Sequence, residues 1–217
     1  GVSLELPRGS FVGLVGQNGS GKSTLTKQLN GLLRPTSGRV LVEGLDTARE
    51  PVRRLAQHVG YVFQNPAHQL FARTVAEELA FGPRNLGCAA GEVEERVASV
   101  AASLGLGDVL SAHPYRLPFP VRKLVTIAGV LTMRTRVVVL DEPTTGQDHR
   151  TTRRVATVLD GLRAAGTTVV CVTHDMSLLA ETSDRLVVLH EGRVAADGVH
   201  WLGEVGDEEL DASDSTD

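Results

Sequence analysis

Gly16-Gln17-Asn18-Gly19-Ser20-Gly21-Lys22-Ser23 follows the apolar run Phe11–Val15 and opens a helical pattern, and this combination decides the fold. The segment matches G-x-x-x-x-G-K-[ST], whose glycines let backbone N–H groups converge on phosphate oxygens without a Cβ in the way. The start of the following helix adds its dipole to the same site. We therefore predict that Gly16 to Thr24 bind phosphate, with Lys22 reaching the β and γ phosphates and the Ser23 hydroxyl binding Mg²⁺.

Strand-length apolar runs alternate with helical patterns over the rest of the chain. Several of these runs are apolar at consecutive positions, which is typical of strands buried on both faces of a sheet. The pattern predicts an α/β protein with a mostly parallel core sheet flanked by helices. The predicted strands lie at 11–15, 39–43, 58–63, 137–140, 168–173 and 186–190.

Four helical patterns accompany these strands. One covers 24–33, and a second runs from Thr74, where Glu77 completes a capping box, to Phe81. A third covers 93–104 and ends at Gly105, and the fourth lies between Asp148 and Gly166. Because the region of about 65–131 has helical patterns and no buried strand, we predict a helical subdomain inserted into the α/β core.

The composition limits the classes of protein to which this chain can belong. The chain has 217 residues, of which 41% are hydrophobic and 22% charged, so it can bury a core without a disulfide or a metal. Cys88 and Cys171 lie far apart, which argues against a disulfide framework and a zinc site and favours a reducing compartment. No apolar run reaches the length of a membrane span, and no signal peptide is present, so we expect a chain that neither crosses a membrane nor is exported.

The two ends of the chain carry further expectations. Residues 1–202 are predicted to form one domain, whereas 203–217 hold seven acidic residues and no basic one, which predicts a linker or a disordered tail. The first methionine is Met133, so we expect a segment of a longer protein. Basic residues comprise nineteen arginines and only three lysines.

A pair of carboxylates follows the predicted strand at 137–140. Nucleoside triphosphate chemistry that depends on a metal needs such groups, and we expect Asp141 to hold Mg²⁺ through water. Glu142 is then expected to orient or deprotonate the attacking water. An Asp-Glu pair after a strand is on its own more often the start of a loop, but a phosphate-binding loop in the same chain favours the catalytic interpretation.

Three further segments add to the two motifs described above. Gln64 follows the strand that ends in Tyr61-Val62-Phe63, Pro143 to Asp148 follow Glu142, and Val172-Thr173-His174-Asp175 closes another strand. With the motifs above, their order and spacing resemble an ATP-binding cassette (ABC) nucleotide-binding domain over nearly all of 1–202. The resemblance implies a P-loop NTPase fold with a small N-terminal β portion, and ATP and Mg²⁺ as ligands.

The same resemblance assigns roles to individual residues. It implies that Gln64 senses Mg²⁺ and a transmembrane partner, that 145–148 cross a dimer interface, and that His174 contacts the γ-phosphate. The implied catalytic residues are Lys22, Gln64, Glu142 and His174, and the implied metal ligands are Ser23, Gln64 and Asp141.

A finer resemblance concerns the segment Phe63-Gln64-Asn65-Pro66-Ala67-His68-Gln69-Leu70-Phe71. It is similar to the ATPases of energy-coupling-factor and cobalt-type importers, which take up vitamins or transition-metal ions. We therefore expect a cytoplasmic subunit, peripheral on the inner face of the cell membrane, that powers import through separate membrane proteins. The alternative is a degenerate regulatory cassette that binds ATP and hydrolyses little. No nucleic-acid partner is expected, because residues 1–202 carry a net charge of only +3 and no basic stripe.

One family motif is replaced. The signature loop, Leu-Ser-Gly-Gly-Gln, binds the γ-phosphate of ATP held on the opposite subunit, and here Leu117-Pro118-Phe119-Pro120-Val121 stands in its place. The serine hydroxyl is absent, the two prolines remove N–H donors, and Phe119 puts a ring where glycine allows close approach. Each lost contact would cost about 10²- to 10³-fold in rate. We therefore expect an asymmetric dimer whose partner cassette, separate or fused, has an intact signature loop.

Overall fold

The fold is built on one six-stranded sheet and a small two-stranded one. The computed structural model describes residues 1–199, so the acidic tail predicted at 203–217 lies outside the described residues. The strands are β1 Phe11–Val15, β2 Leu41–Val42, β3 Leu45–Asp46, β4 Val59–Val62, β5 Val137–Asp141, β6 Thr168–Val172, β7 Arg185–His190 and β8 Arg193–Val199. The main sheet has the order β4-β5-β6-β1-β7-β8, with all neighbours parallel except β7 and β8. The predicted α/β class with a mostly parallel sheet is confirmed.

The described residues also form seven helices. They are α1 Lys22–Leu29, α2 Val52–Leu55, α3 Val75–Asn85, α4 Ala90–Leu104, α5 Phe119–Leu131, α6 His149–Ala164 and α7 Met176–Thr182. Between β4 and β5 the chain forms α3, α4, α5 and three short 3₁₀ turns, in the region predicted to be a helical subdomain. None of the described helices combines the length and the apolar character that crossing a membrane requires.

The main core lies between the sheet and the helices. Phe11 on β1, Leu140 on β5 and Ile127 on α5 are fully buried in one cluster that also includes residues of α3, α4, α6 and α7. The strands β1, β4, β5 and β6 each contribute side chains to this cluster, so packing fixes their positions relative to one another. The ends of neighbouring strands are therefore rigidly placed.

The strand predicted at 39–43 is shorter in the structure and lies outside the main sheet. Only Leu41 and Val42 are extended, and they pair with β3 in an antiparallel hairpin outside the main sheet. Glu43 and Gly44 turn the hairpin with φ of +50° and +81°, as in the two-residue turns that suit β-hairpins. The antiparallel strand β8 was not predicted, because 193–199 lack an apolar run.

The helix predicted over 24–33 also differs in its bounds. It begins two residues earlier, at Lys22, and ends at Leu29. Asn30 occupies the C-cap and Gly31 has a φ of +74°, a backbone conformation that ends helices. Leu32 and Leu33 follow the helix and are exposed.

The helix that starts at the Thr74 capping box continues past Phe81 to Asn85, through Pro83. Proline lacks the N–H that would bond to the carbonyl oxygen of Leu79 four residues earlier. The hydroxyl of Thr132, at the end of α5, donates to that oxygen at 2.7 Å instead. A tertiary hydrogen bond thus replaces the missing helical one, which explains why the sequence pattern alone stopped the helix too early.

Candidate functional site

The candidate site lies at the carboxyl ends of β4, β5, β6 and β1, which are consecutive neighbours in the sheet. Because parallel strands end at the same edge, the four loops that follow them meet there. They surround a cavity of about 550 Å³. It is lined by Asn18, Gly19, Gly21, Lys22, Ser23, Thr24, Gln64, Asp141, Glu142, Thr145, Val172 and His174.

The loop that is predicted to bind phosphate joins β1 to α1. Gly16 has a φ of +144°, and a Cβ on it would collide with the carbonyl oxygen of Leu189 on β7, so only glycine fits. Gly21 is the N-cap of α1 and is left-handed, and no side chain caps the helix. Among the described residues the buried Ser20 hydroxyl oxygen has no hydrogen-bond partner. The uncapped N–H groups of the first turn are donors suited to an anion.

Lys22 and Ser23 begin α1 and enter the cavity. The buried Lys22 ammonium donates to the carbonyl oxygens of Gly16 at 2.6 Å and Gln17 at 2.9 Å. The Ser23 hydroxyl donates to Asp141 Oδ2 at 2.9 Å. The lysine and the serine of one loop thus lie beside the carboxylate that ends another strand.

Asp141 is the last residue of β5 and is buried. Its Oδ2 also accepts from the Tyr61 hydroxyl at 3.3 Å, and that hydroxyl lies 3.0 Å from the hydroxyl oxygen of Thr26. Burial raises the pKa of Tyr61 well above its usual range, so the phenol stays protonated and donates. A carboxylate, a hydroxyl and the exposed Gln64 amide on one cavity wall are oxygen donors of the kind that Mg²⁺ binds.

Glu142 turns sharply away from the strand, with a φ of +52° that is unusual for a residue with a side chain. Its N–H donates to the carbonyl of Val172 on β6 at 2.8 Å, which holds this conformation. One carboxylate oxygen lies 3.4 Å from His174 Nε2, and the other accepts from the Thr173 hydroxyl at 3.4 Å. A carboxylate and an imidazole that line the same cavity are suited to orient a water molecule.

Asp148 stands apart from the cavity. Its carboxylate accepts from the backbone N–H of Thr151 at 2.7 Å and caps α6. Hydrogen bonding to Thr151 lowers the pKa of Asp148. The structure thus gives this residue a capping role, and its predicted place at a dimer interface stays a prediction.

The segment 117–121, which is expected to stand in place of the signature loop, packs on the loop after β5. Pro118 is the N-cap of α5, and no side chain caps that helix. The Phe119 ring lies against Gly146, where a Cβ would be 3.3 Å from the ring. The Gln147 amide donates to the carbonyl of Pro120 at 2.9 Å. The two loops therefore form one surface beside the site.

Two residues near the site, Lys123 and Tyr61, belong to no motif and were not predicted from the sequence. Lys123 is completely buried on α5, and its ammonium reaches backbone carbonyls at the ends of β4 and β5. Its only signal in the sequence is that it is one of three lysines in a chain rich in arginine. Burial lowers the pKa of Lys123 to about 8.

Known proteins are similar to this chain over most of its length. The family model described as ABC transporter matches residues 1–145. The energy-coupling factor transporter ATP-binding protein EcfA2 of Symbiobacterium thermophilum is 47% identical over 203 residues, covering 92% of this chain and 70% of that protein. The cobalt import ATP-binding protein CbiO of Rhodobacter capsulatus is 44% identical over 199 residues, covering 91% and 71%.

A solved structure is similar over the same range. It is cbiO1 from Clostridium perfringens, part of the ABC transporter complex cbiONQ, with a TM-score of 0.79 and 34% sequence identity. The match covers 90% of this chain and 79% of that one.

Proposed function

Because this chain belongs to the ABC transporter family, as its motifs predicted, we propose that it is the ATP-hydrolysing subunit of an importer of the energy-coupling-factor or cobalt type. It would power the uptake of a small solute, a vitamin or a transition-metal ion, through separate membrane proteins. The observation that carries this proposal is the single cavity that unites Lys22, Gln64, Asp141, Glu142 and His174.

The residues of the cavity suggest how they would act on ATP. The phosphates would lie at the start of α1, where the Lys22 ammonium would exchange the carbonyls of Gly16 and Gln17 for phosphate oxygens. Bound Mg²⁺ would neutralise phosphate charge, and Ser23, Gln64 and Asp141 are the residues that would hold it.

Hydrolysis needs a positioned water. We assign that task to Glu142, whose carboxylate is fixed between His174 and the Thr173 hydroxyl. The more exposed His174 would contact the γ-phosphate on the open side of the cavity. Lys22 and the backbone N–H groups of the phosphate loop would stabilise the charge that develops on the transferred group.

A second surface suits the membrane subunit. An apolar groove of about 290 Å³ runs beside β4, with Phe63 and Gln69 among its lining residues. At its rim Phe71 and Phe81 are 59% and 47% exposed and meet edge to face at 4.5 Å. Because the groove adjoins the loop of Gln64, we place the transmembrane subunit there, which would keep this chain peripheral on the inner face of the membrane.

We further propose an asymmetric dimer of cassettes. The intact residues of this cavity would act with the signature loop of a second cassette, separate or fused. The partner's ATP would face Phe119 and the two prolines beside it, which offer no serine hydroxyl and fewer N–H donors. One of the two composite sites would therefore hydrolyse ATP and the other would not.

Steady-state ATP hydrolysis with Mg²⁺ tests the proposal on the chain alone and on the chain mixed with a cassette that has an intact signature loop. We expect turnover only in the mixture, and Glu142→Gln should reduce it by at least about 10²-fold while ATP binding is kept, because the positioned base is lost. Glu181→Gln removes an exposed carboxylate on α7 and is the matched control, with unchanged turnover.

Two results would contradict the proposal. Robust turnover by the chain alone would rule out the asymmetric dimer. Tight ATP binding without turnover in either setting would favour the alternative, a regulatory cassette that hydrolyses little.

A further inference from the structure

Lys123 is a buried cation whose hydrogen bonds join three parts of the site. It lies on α5, and its side chain is 0% exposed. Its ammonium donates to the carbonyl oxygens of Phe63 at 2.9 Å, Gln64 at 2.8 Å and Asp141 at 3.1 Å. An ammonium group has three N–H donors, so every one of them is used.

A buried charge is unfavourable unless it is paired or hydrogen-bonded. Here the three carbonyls solvate the ammonium, and the negative charges of Asp141 and Glu142 lie close enough to favour its charged form. An apolar side chain of similar length would fill the same space without this cost, so packing alone does not explain a lysine at this position.

The bonded carbonyls lie at or just after the ends of two neighbouring strands. Phe63 and Gln64 follow β4, and Asp141 ends β5. The side chains of Gln64 and Asp141 line the cavity from these two loops. Because Gln64 is exposed and lies two residues beyond Val62, the last paired residue of β4, its backbone depends on contacts such as this one for a fixed position.

We propose that Lys123 is a positioning residue for the ATPase reaction, whose ammonium fixes the backbone of Gln64 relative to that of Asp141 and so holds both side chains in place for Mg²⁺. Lys123 itself is not among the residues that line the cavity, and its hydrogen bonds go to backbone carbonyls outside the loop that joins β1 to α1. The inference rests on the proposed function, because it assigns Mg²⁺ to the same cavity. It predicts a defect in metal binding rather than in the binding of ATP itself.

The test is a titration of the ATP-loaded chain with Mn²⁺, a paramagnetic substitute for Mg²⁺, followed by electron paramagnetic resonance. Residues that orient metal ligands typically change metal affinity by about 10- to 100-fold when replaced, and we expect Lys123→Met to weaken Mn²⁺ binding by that factor. Lys123→Gln keeps two N–H donors and should be intermediate. The affinity for a fluorescent ATP analogue in EDTA should stay within about twofold, since the phosphate loop is untouched.

Two control variants separate positioning from stability. Lys27→Gln alters the remaining lysine of the chain, on α1, and should bind Mn²⁺ like the wild type. Thr132→Val removes a buried hydrogen bond at the far end of α5 and should lower the Tm without changing Mn²⁺ affinity.

Unchanged Mn²⁺ affinity in both Lys123 variants would overturn the inference and leave the proposed function standing. If Lys123→Met does not fold, Lys123→Gln decides alone. A wild-type chain that binds no Mn²⁺ in the presence of ATP would overturn both this inference and the proposed function.

Discussion

Gly16 shows how a single residue constrains the loop between β1 and α1. A Cβ at this position would strike the carbonyl oxygen of Leu189, and a φ of +144° is rare for any residue with a side chain. Gly16→Ala should therefore displace the loop from β7, weaken ATP binding at least about tenfold, and lower the free energy of unfolding by about 1–3 kcal/mol. Titration with a fluorescent ATP analogue and urea unfolding measure the two effects.

The control is Gly38→Ala. Gly38 also has a positive φ, +76°, but a Cβ there meets nothing within 4 Å. Its replacement should cost about 1 kcal/mol of backbone strain and leave ATP affinity unchanged. If both variants bound ATP like the wild type, the collision with Leu189 would not matter for the loop.

At the residue scale, sequence spacing found the parts of the site that are local. Lys22 and Ser23 belong to one contiguous motif, and Asp141 and Glu142 end one strand, so their neighbours in the chain identify them. Lys123 has no such neighbours, because its partners lie 18 to 60 residues away and only packing brings them together. The hydrogen bonds of Lys123 depend on tertiary structure, which the periodicity of the sequence does not predict.

At the element scale, α6 offers a clean test of helix propensity. Gly161 lies inside this helix, is exposed, and has open space where a Cβ would stand. Gly161→Ala should raise the free energy of unfolding by about 0.8–1.0 kcal/mol, because alanine loses less backbone entropy in a helix. Urea denaturation with an unchanged m-value would measure this gain.

The matched opposite case is Gly105, the left-handed C-cap of α4, where a Cβ would meet the Arg154 guanidinium. Gly105→Ala should lower the free energy of unfolding by about 1 kcal/mol or more. If the free energy of unfolding rose in both variants, the C-cap of α4 would tolerate a side chain better than the φ of +68° at Gly105 implies.

Elements were predicted well where local chemistry decides them. The apolar runs at β1, β5 and β6 are buried on both faces, and Gly105 ends α4 as its sequence indicates. The failures have tertiary causes. The segment at 39–43 has a strand-like composition but pairs only with β3, and α3 passes Pro83 because Thr132 supplies the missing donor.

For the whole molecule, the order of the strands is what assembles the site. Residues from β4, β5, β6 and β1 are scattered over most of the chain, yet their strands are consecutive in the sheet. The sequence predicted that the strands are parallel, but not which strands are neighbours. Strand order depends on which helices cover which face, and single-sequence periodicity does not specify that.

Cys171 reports on the stability of this whole arrangement. It lies in β6 opposite Leu140 of β5 and Gly13 of β1, is fully buried, and burial raises its pKa well above the usual range. Only the thiolate reacts with disulfide reagents, so Cys171 should react only when the sheet opens. In the native chain a thiol reagent should label only the partly exposed Cys88 quickly.

Binding of ATP in the cavity should change the rate at which Cys171 in the core is labelled. In a Cys88→Ser chain, labelling of Cys171 should give the same free energy of unfolding as urea denaturation. ATP with Mg²⁺ at about 100 times its Kd should stabilise the folded chain by about 2.7 kcal/mol and slow labelling about 100-fold, because the ligand binds only the folded state. Labelling of Cys171 at the rate of Cys88 would contradict the closed sheet. A labelling rate that ATP leaves unchanged would mean that β6 can open without releasing the nucleotide, although His174, which follows β6, lines the cavity.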